Sequence, residues 1–183
     1  KTVWIWNVDG EPHAKLVEVD SYCTTVQWHP SAAGRKDEGI LAVSCTDGSF
    51  KLISKAGRIE KSVAAHQGAV TALRWSPDGT SLATCGEDAV VKSWSRNGMF
   101  RASIAQADGP IYAMCWSAES DQVAFTNGKH LAIRPLQPSS KQTQWKAHDA
   151  PVLSLDWNAV NGLLVSGGED CRYRVWDCYG RQL

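Results

Sequence analysis

The 183-residue chain has no excess of charge: 19 Lys and Arg stand against 19 Asp and Glu. Nonspecific nucleic-acid binding and polybasic attachment to a membrane both need a basic excess, so neither partner is expected. No apolar run approaches the roughly 18–20 residues of a membrane span, and no insertion is expected. Residues Lys1 to Trp6 are not followed by an h-region and a small-residue cleavage site, so no signal peptide is expected. The six cysteines (Cys23, Cys45, Cys85, Cys115, Cys171 and Cys178) form no C-x-x-C pair and no Cys/His group of zinc spacing. They read as reduced thiols of a cytoplasmic protein, with no metal. The patterns G-x-x-x-x-G-K-[ST], H-E-x-x-H and G-x-S-x-G are absent, and no cofactor is expected. No 3.6-residue period is sustained, which argues against helices.

What is abundant is tryptophan, with nine copies, and most of them recur. Ala65-His66-Gln67-Gly68-Ala69-Val70-Thr71-Ala72-Leu73-Arg74-Trp75 matches Ala147-His148-Asp149-Ala150-Pro151-Val152-Leu153-Ser154-Leu155-Asp156-Trp157, two periods of about 41 residues away. Trp116 lies one period after Trp75. Trp28 lies one period and six residues before it, the extra residues falling between Ser31 and Glu38. Within each period, short apolar runs alternate with turn residues such as Ser76-Pro77-Asp78-Gly79 and Asn97-Gly98, which predicts four short antiparallel strands. Four strands per period, Ala-His near the start and Trp176-Asp177 near the end resemble the WD40 repeat.

The fold class is therefore all-β: a WD40 β-propeller, seen as an incomplete arc of about four to five blades from a seven-bladed ring. Strands a to d run outward from the axis. Blade one supplies strands c and d (1–20), blade two spans 21–64, blade three 65–105, blade four 106–146 and blade five 147–183, truncated in strand d. Because propellers close with 4–8 blades, the chain reads as a fragment of a longer protein.

Two constellations repeat: His66, Thr84, Asp88, Trp94 and His148, Ser166, Asp170, Trp176. A hydroxyl, a His and an Asp suggest a catalytic triad. Recurrence at one period suggests instead a hydrogen-bonded structural tetrad, in which the hydroxyl is already engaged. No catalytic, cofactor-binding or metal residue is assigned. Blade two keeps only Asp47, with Val19, Val43 and Ile53 at the other positions. Blade four, aligned by the period, has Ala107, Phe125, Lys129 and Pro135. The strand-a tryptophans read as inter-blade core, whereas Trp4 and Trp145, off the repeat, read as exposed contacts. Gly57, Gly98 and Gly180 mark the c–d turns, and Asn97-Gly98 predicts a type I′ hairpin.

The d–a and b–c loops share one rim. It carries Asp20, Glu87, Asp108, Asp149 and Glu169, opposed mainly by Lys129, and is the candidate partner surface. The opposite rim mixes Lys55, Arg58, Arg96 and Arg181 with Asp9, Glu11, Asp78 and Glu119, and with Arg35, Lys36, Asp37 and Glu38.

Several stretches are more specific than the repeat: Leu52 to His66, Pro135-Leu136-Gln137-Pro138, Gln144 to Asp149, and Gly168 to Asp177 continuing through Tyr179-Gly180-Arg181. In these the chain resembles the intraflagellar transport protein 80 family. The resemblance implies a non-enzymatic scaffold subunit of intraflagellar transport complex B, serving ciliary or flagellar assembly and cargo transport. It implies contacts with other complex B subunits, including a calponin-homology-domain subunit, and a place in the cytoplasm and the cilium or flagellum with its basal body. The alternative is a WD40 adaptor of another assembly, such as a ubiquitin-ligase substrate receptor. Those usually carry Trp-Asp-x-Arg, where this chain has Trp176-Asp177-Cys178-Tyr179.

Overall fold

The structure, a computed structural model, describes residues 1–30 and 39–183. The insertion expected between Ser31 and Glu38, with its four charged residues, lies outside the described residues. Among the described residues the chain forms seventeen strands and no helix.

The strands make five antiparallel sheets. Blade one pairs β1 (Thr2–Trp6) with β2 (Pro12–Glu18). Blade two holds β3 (Cys23–Trp28), β4 (Ile40–Cys45), β5 (Ser49–Ser54) and β6 (Ile59–Ala64). Blade three holds β7 (Val70–Trp75), β8 (Ser81–Gly86), β9 (Val90–Ser95) and β10 (Phe100–Gln106). Blade four holds β11 (Met114–Trp116), β12 (Gln122–Asn127), β13 (His130–Pro135) and β14 (Thr143–Lys146). Blade five holds β15 (Val152–Trp157), β16 (Leu164–Gly168) and β17 (Tyr173–Trp176), after which Trp176 bridges to Gln182. In every four-stranded sheet the strands neighbour one another in chain order, so each is a meander.

The second strand of each complete blade is buried on both faces, as Leu41-Ala42-Val43 and Leu82-Ala83-Thr84-Cys85 show. A sheet covered on both sides has no solvent face and loses its alternation. Here the cover is the neighbouring blade. Separate apolar layers lie between successive blades: Val43 and Ile53 against Val3 and Val17, then Phe50 and Leu73 with Trp94, then Val91 with Ile111 and Phe125, then Ile133 with Leu155 and Trp176. Of the strand-a tryptophans, Trp75 and Trp116 are buried in these layers and Trp157 is partly buried. Trp28 is 45% exposed although its repeat partner Trp75 is 3% exposed. It flanks blade one, which has two strands here rather than four, so less of the inner face is covered.

The c–d turns differ from the expected type I′. Asn97 does not have a positive φ; only Gly98 does, at 72°. The Gly98 amide donates to Ser95 O and the Ser95 amide to Met99 O, which is a type I turn closed by a left-handed glycine. The same turn recurs with Gly10, Gly57 and Gly180. The residue that begins it also accepts from the amide four residues on: Asn7 Oδ1, Ser54 Oγ, Ser95 Oγ and Asp177 Oδ1, at 2.9–3.2 Å. The Asp of Trp-Asp is thus a turn cap, which explains why Asn and Ser replace it.

Blade four is out of step with the sequence period by one residue. In blade three Leu82 pairs with Trp94 and Ser81 with Ser95. In blade four Val123 pairs with Arg134 and Gln122 with Pro135. The tryptophan position is therefore Arg134, and Pro135 takes the place of the turn cap, correcting the alignment by period. The cause is a shorter b–c hairpin: Asn127 pairs directly with His130 around Gly128-Lys129. Pro135 offers neither an N–H nor a capping side chain. β14 accordingly pairs only with His130 through Ile133.

Candidate interaction surfaces and the blade tetrads

In blade three, His66 Nδ1 is 2.7 Å from Asp88 Oδ1 and His66 Nε2 is 2.7 Å from Thr84 Oγ1, while Trp94 Nε1 donates to the same hydroxyl at 2.9 Å. Blade five repeats this: His148 Nδ1 to Asp170 Oδ1 and His148 Nε2 to Ser166 Oγ are both 2.8 Å, and Trp176 Nε1 donates to Ser166 Oγ at 2.9 Å. Indole only donates and carboxylate only accepts, so the protons follow. The indole N–H donates to the hydroxyl, the hydroxyl donates to Nε2, and Nδ1–H donates to the carboxylate. The imidazole is then neutral. Burial pushes His66 below its ordinary pKa, with Asp88 opposing in part. Burial alone would raise the Asp88 carboxyl, but hydrogen bonds from His66 and the Gln67 and Val90 amides lower it. Asp170 follows the same balance and is held at about 2. Thr84 and Ser166 are buried, at 0% and 1% exposed, which leaves no hydroxyl facing a substrate.

A further member of each constellation is not apparent from the four-residue spacing. Lys92 Nζ donates to Ala65 O at 2.5 Å and lies 3.6 Å from Asp88 Oδ2. Arg174 donates to Ala147 O and lies 3.7 Å from both Asp170 and Asp149. Each sits two residues before the strand-c tryptophan and satisfies the carbonyl just before the histidine. A cation recurring at the same repeat position was the available signal.

Blades two and four tie the same loops differently. Val19, Val43 and Ile53 are all buried, and Asp47 accepts from Ser49 within its own turn. In blade four Phe125 fills the hydroxyl position at 0% exposure. The loop tie passes to Asp108 and Asn127: Asp108 N donates to Asn127 Oδ1 at 3.1 Å, and Asn127 Nδ2 donates to Asp108 Oδ2 at 3.0 Å. Thr126 Oγ1 accepts from the Tyr112 and Ala113 amides, closing the gap left by the short β11.

Asp20, Glu87, Asp108, Asp149 and Glu169 are all exposed in the d–a and b–c loops. Their surroundings are less one-sided than the loop sequences suggest. Glu87 accepts from the Ala69 amide, and Asp149 lies 2.9 Å from Lys146 and 3.7–3.8 Å from Arg172 and Arg174. The hydrogen bond from Lys146 leads in lowering the Asp149 pKa. Counter-charge reaches Asp149 from Lys146 at the end of strand d, from Arg174 on strand c and from Arg172 in the b–c loop, rather than mainly from Lys129. Asp20 and Glu169 keep their carboxylates without a cationic partner among the described residues.

The two off-repeat tryptophans diverge. Trp4 is 48% exposed, as is the neighbouring Trp6 at 60%. Trp145 is not an exposed contact: its ring packs 5.9 Å from that of Trp176, and Gly180 lies so close that a Cβ there would meet the indole at 2.7 Å. Among the described residues no group of three His, Cys, Asp or Glu side chains is placed to hold a metal ion. All six cysteines are free thiols; burial pushes Cys85 up to about 12.

A meander of four strands per blade, blade layers between, and Trp-Asp turn caps define a WD40-repeat protein. The WD40 family, described as WD domain, G-beta repeat, matches at residues 57–95 and 139–177. The chain is similar to the intraflagellar transport protein 80 homologs of Rattus norvegicus and Mus musculus, 48% identical over 97% of its length. It spans 24% of those relatives. It is also 32% identical, over 90% of its length and 26% of the relative, to polyadenylation factor subunit 2 of Gibberella zeae.

Proposed function

We propose that this chain is a non-enzymatic scaffold segment of intraflagellar transport complex B, contributing through protein contacts to ciliary or flagellar assembly and cargo transport. The observation that carries the reading is the 48% identity, sustained across 97% of the chain, to proteins named for intraflagellar transport. The family resemblance adds a calponin-homology-domain subunit as one contact, and the cytoplasm, cilium or flagellum and basal body region as the place of work. The two tetrads serve as ties between loops, not as catalytic centres, because each hydroxyl is held between an imidazole and an indole.

Within this reading, the loop rim of Asp20, Glu87, Asp108, Asp149 and Glu169 receives a basic protein surface. Complementary fields set partner choice and encounter rate more than affinity. Asp20 and Glu169 give the cleanest test, since their carboxylates hold no loop together. The double variant Asp20→Lys, Glu169→Lys in the full-length protein is expected to fold and to lose one partner in pulldown of complex B subunits, more so at low than at moderate salt, where screening weakens the exposed charges. Unchanged recovery of every subunit at both salts overturns the rim assignment. Failure of the wild-type protein to recover any of them overturns the assembly itself.

A further inference from the structure

The layer between blades three and four is filled unlike its neighbours. Between blades two and three, Trp94 fills the outer part of the layer, edge-on to Phe50 at 5.2 Å and to Phe100 at 5.4 Å. Between blades four and five, Trp176 fills it against Trp145. The ladder puts Arg134 at this position in blade four. Where the tryptophan would lie, a groove of about 280 Å³ opens between β10 and the end of β13.

The groove has a definite chemistry. Its apolar lining includes Ile104, Trp116 and Leu136, the last 40% exposed. Two guanidiniums line it, Arg101 from blade three and Arg134 from blade four, and no carboxylate does. Arg101 Nη1 donates to Ser81 Oγ at 2.5 Å and Arg134 Nη1 to Ser140 O at 3.4 Å. Neither is paired with a carboxylate among the described residues. Guanidinium has five donors in a planar fork suited to carboxylate, so each retains unused capacity. After Pro135 the c–d connection is longer than the tight turns after Ser54, Ser95 and Asp177: β14 pairs back on β13 only from Thr143, and Leu136 in this connection lines the groove.

We infer that this groove binds an acidic segment of a partner protein, with Arg101 and Arg134 taking Asp or Glu carboxylates and the floor taking an adjacent apolar side chain. Open on one side and part apolar, it suits a chain segment rather than an enclosed small molecule. It faces the rim of the a–b and c–d turns, opposite the acidic loops, so it stands independently of the basic partner proposed for those.

The test measures binding of a fluorescein-labelled peptide alternating Glu and Leu to the full-length protein, by anisotropy. Arg134→Trp restores the residue type of blades three and five and fills the groove. It is expected to melt at or above the wild-type temperature and to weaken binding by about tenfold or more. Arg101→Gln, a surface change, is expected to weaken binding comparably, and a Lys-for-Glu peptide is expected not to bind. The inference is overturned if the wild-type protein does not bind the Glu peptide, or if both variants bind as it does. It is equally overturned if inorganic phosphate or an oligonucleotide displaces the peptide as well as unlabelled peptide does, since the groove would then be a general anion site.

Discussion

Blades three and four have the same meander and are neighbours in the arc, yet different groups hold them together. In blade three a polar chain runs from indole to hydroxyl to imidazole to carboxylate and ends on loop amides. In blade four the centre of that chain is the buried ring of Phe125, and the loops are clasped by Asp108 and Asn127. A blade therefore requires a filled inter-blade layer and tied loops, and does not require one set of residues to supply them. What cannot be mixed is half of one solution with half of the other, because a buried polar group needs all its partners.

The largest expected effect comes from imposing one solution on the other. Phe125→Thr gives blade four the hydroxyl of blade three without the histidine or indole, since those positions hold Ala107 and Arg134. It removes a ring from a fully buried site and adds an unpaired hydroxyl, so a loss of about 3–5 kcal/mol is expected. Denaturant unfolding of the full-length protein measures it, and a neutral result would mean that the two blades are not built differently. The reverse change is smaller. Thr84→Val keeps the shape but leaves Trp94 Nε1 and His66 Nε2 without their partner, for an expected loss of about 2–3 kcal/mol. Near-zero cost there would show that blade three stands on packing alone.

The smallest expected effect is on pH dependence, and it sharpens the comparison because blade four has no titrating tetrad. His66 is held neutral, with its folded pKa below the ordinary 6.5. Its contribution is complete above about pH 6.5 and declines as the pH falls, since the unfolded chain takes up the proton first. Asp170 is held at about 2. Its contribution is complete above the ordinary carboxyl pKa of about 4 and is lost as the pH falls toward about 2. Melting temperature followed from pH 8 downward should therefore fall shallowly near neutrality and again in acid. His66→Ala should flatten the first decline and leave the second. Persistence of the first decline in that variant would assign it to another group.

The repeat, the four strands per blade and the paired histidines and aspartates were legible in the chain because they depend on local spacing: His to Asp is 22 residues in both blades three and five. A period detects copies that keep step, and blades three and five keep step. The resemblance to the intraflagellar transport protein 80 family rests instead on stretches such as Gly168 to Asp177, which are particular rather than generic. The five acidic loop residues fell on exposed turns, because the meander fixes where each loop emerges.

The sequence by itself determined the all-β class, the repeat of about 41 residues and the WD40 resemblance, since these follow from period and turn chemistry along the chain. Only the tertiary structure decided the register of blade four, where a hairpin one residue shorter moved Arg134 into the tryptophan position and Pro135 onto the turn cap. Strand pairing fixes register, and a one-residue shift exchanges the faces of every side chain beyond it. Tertiary structure also decided that Arg172 and Arg174 temper the acidic rim at Asp149 and that Trp145 is half-buried under Gly180. The reason is reach: long side chains act well away from their own Cα, across strands and between blades, where spacing along the chain carries no information.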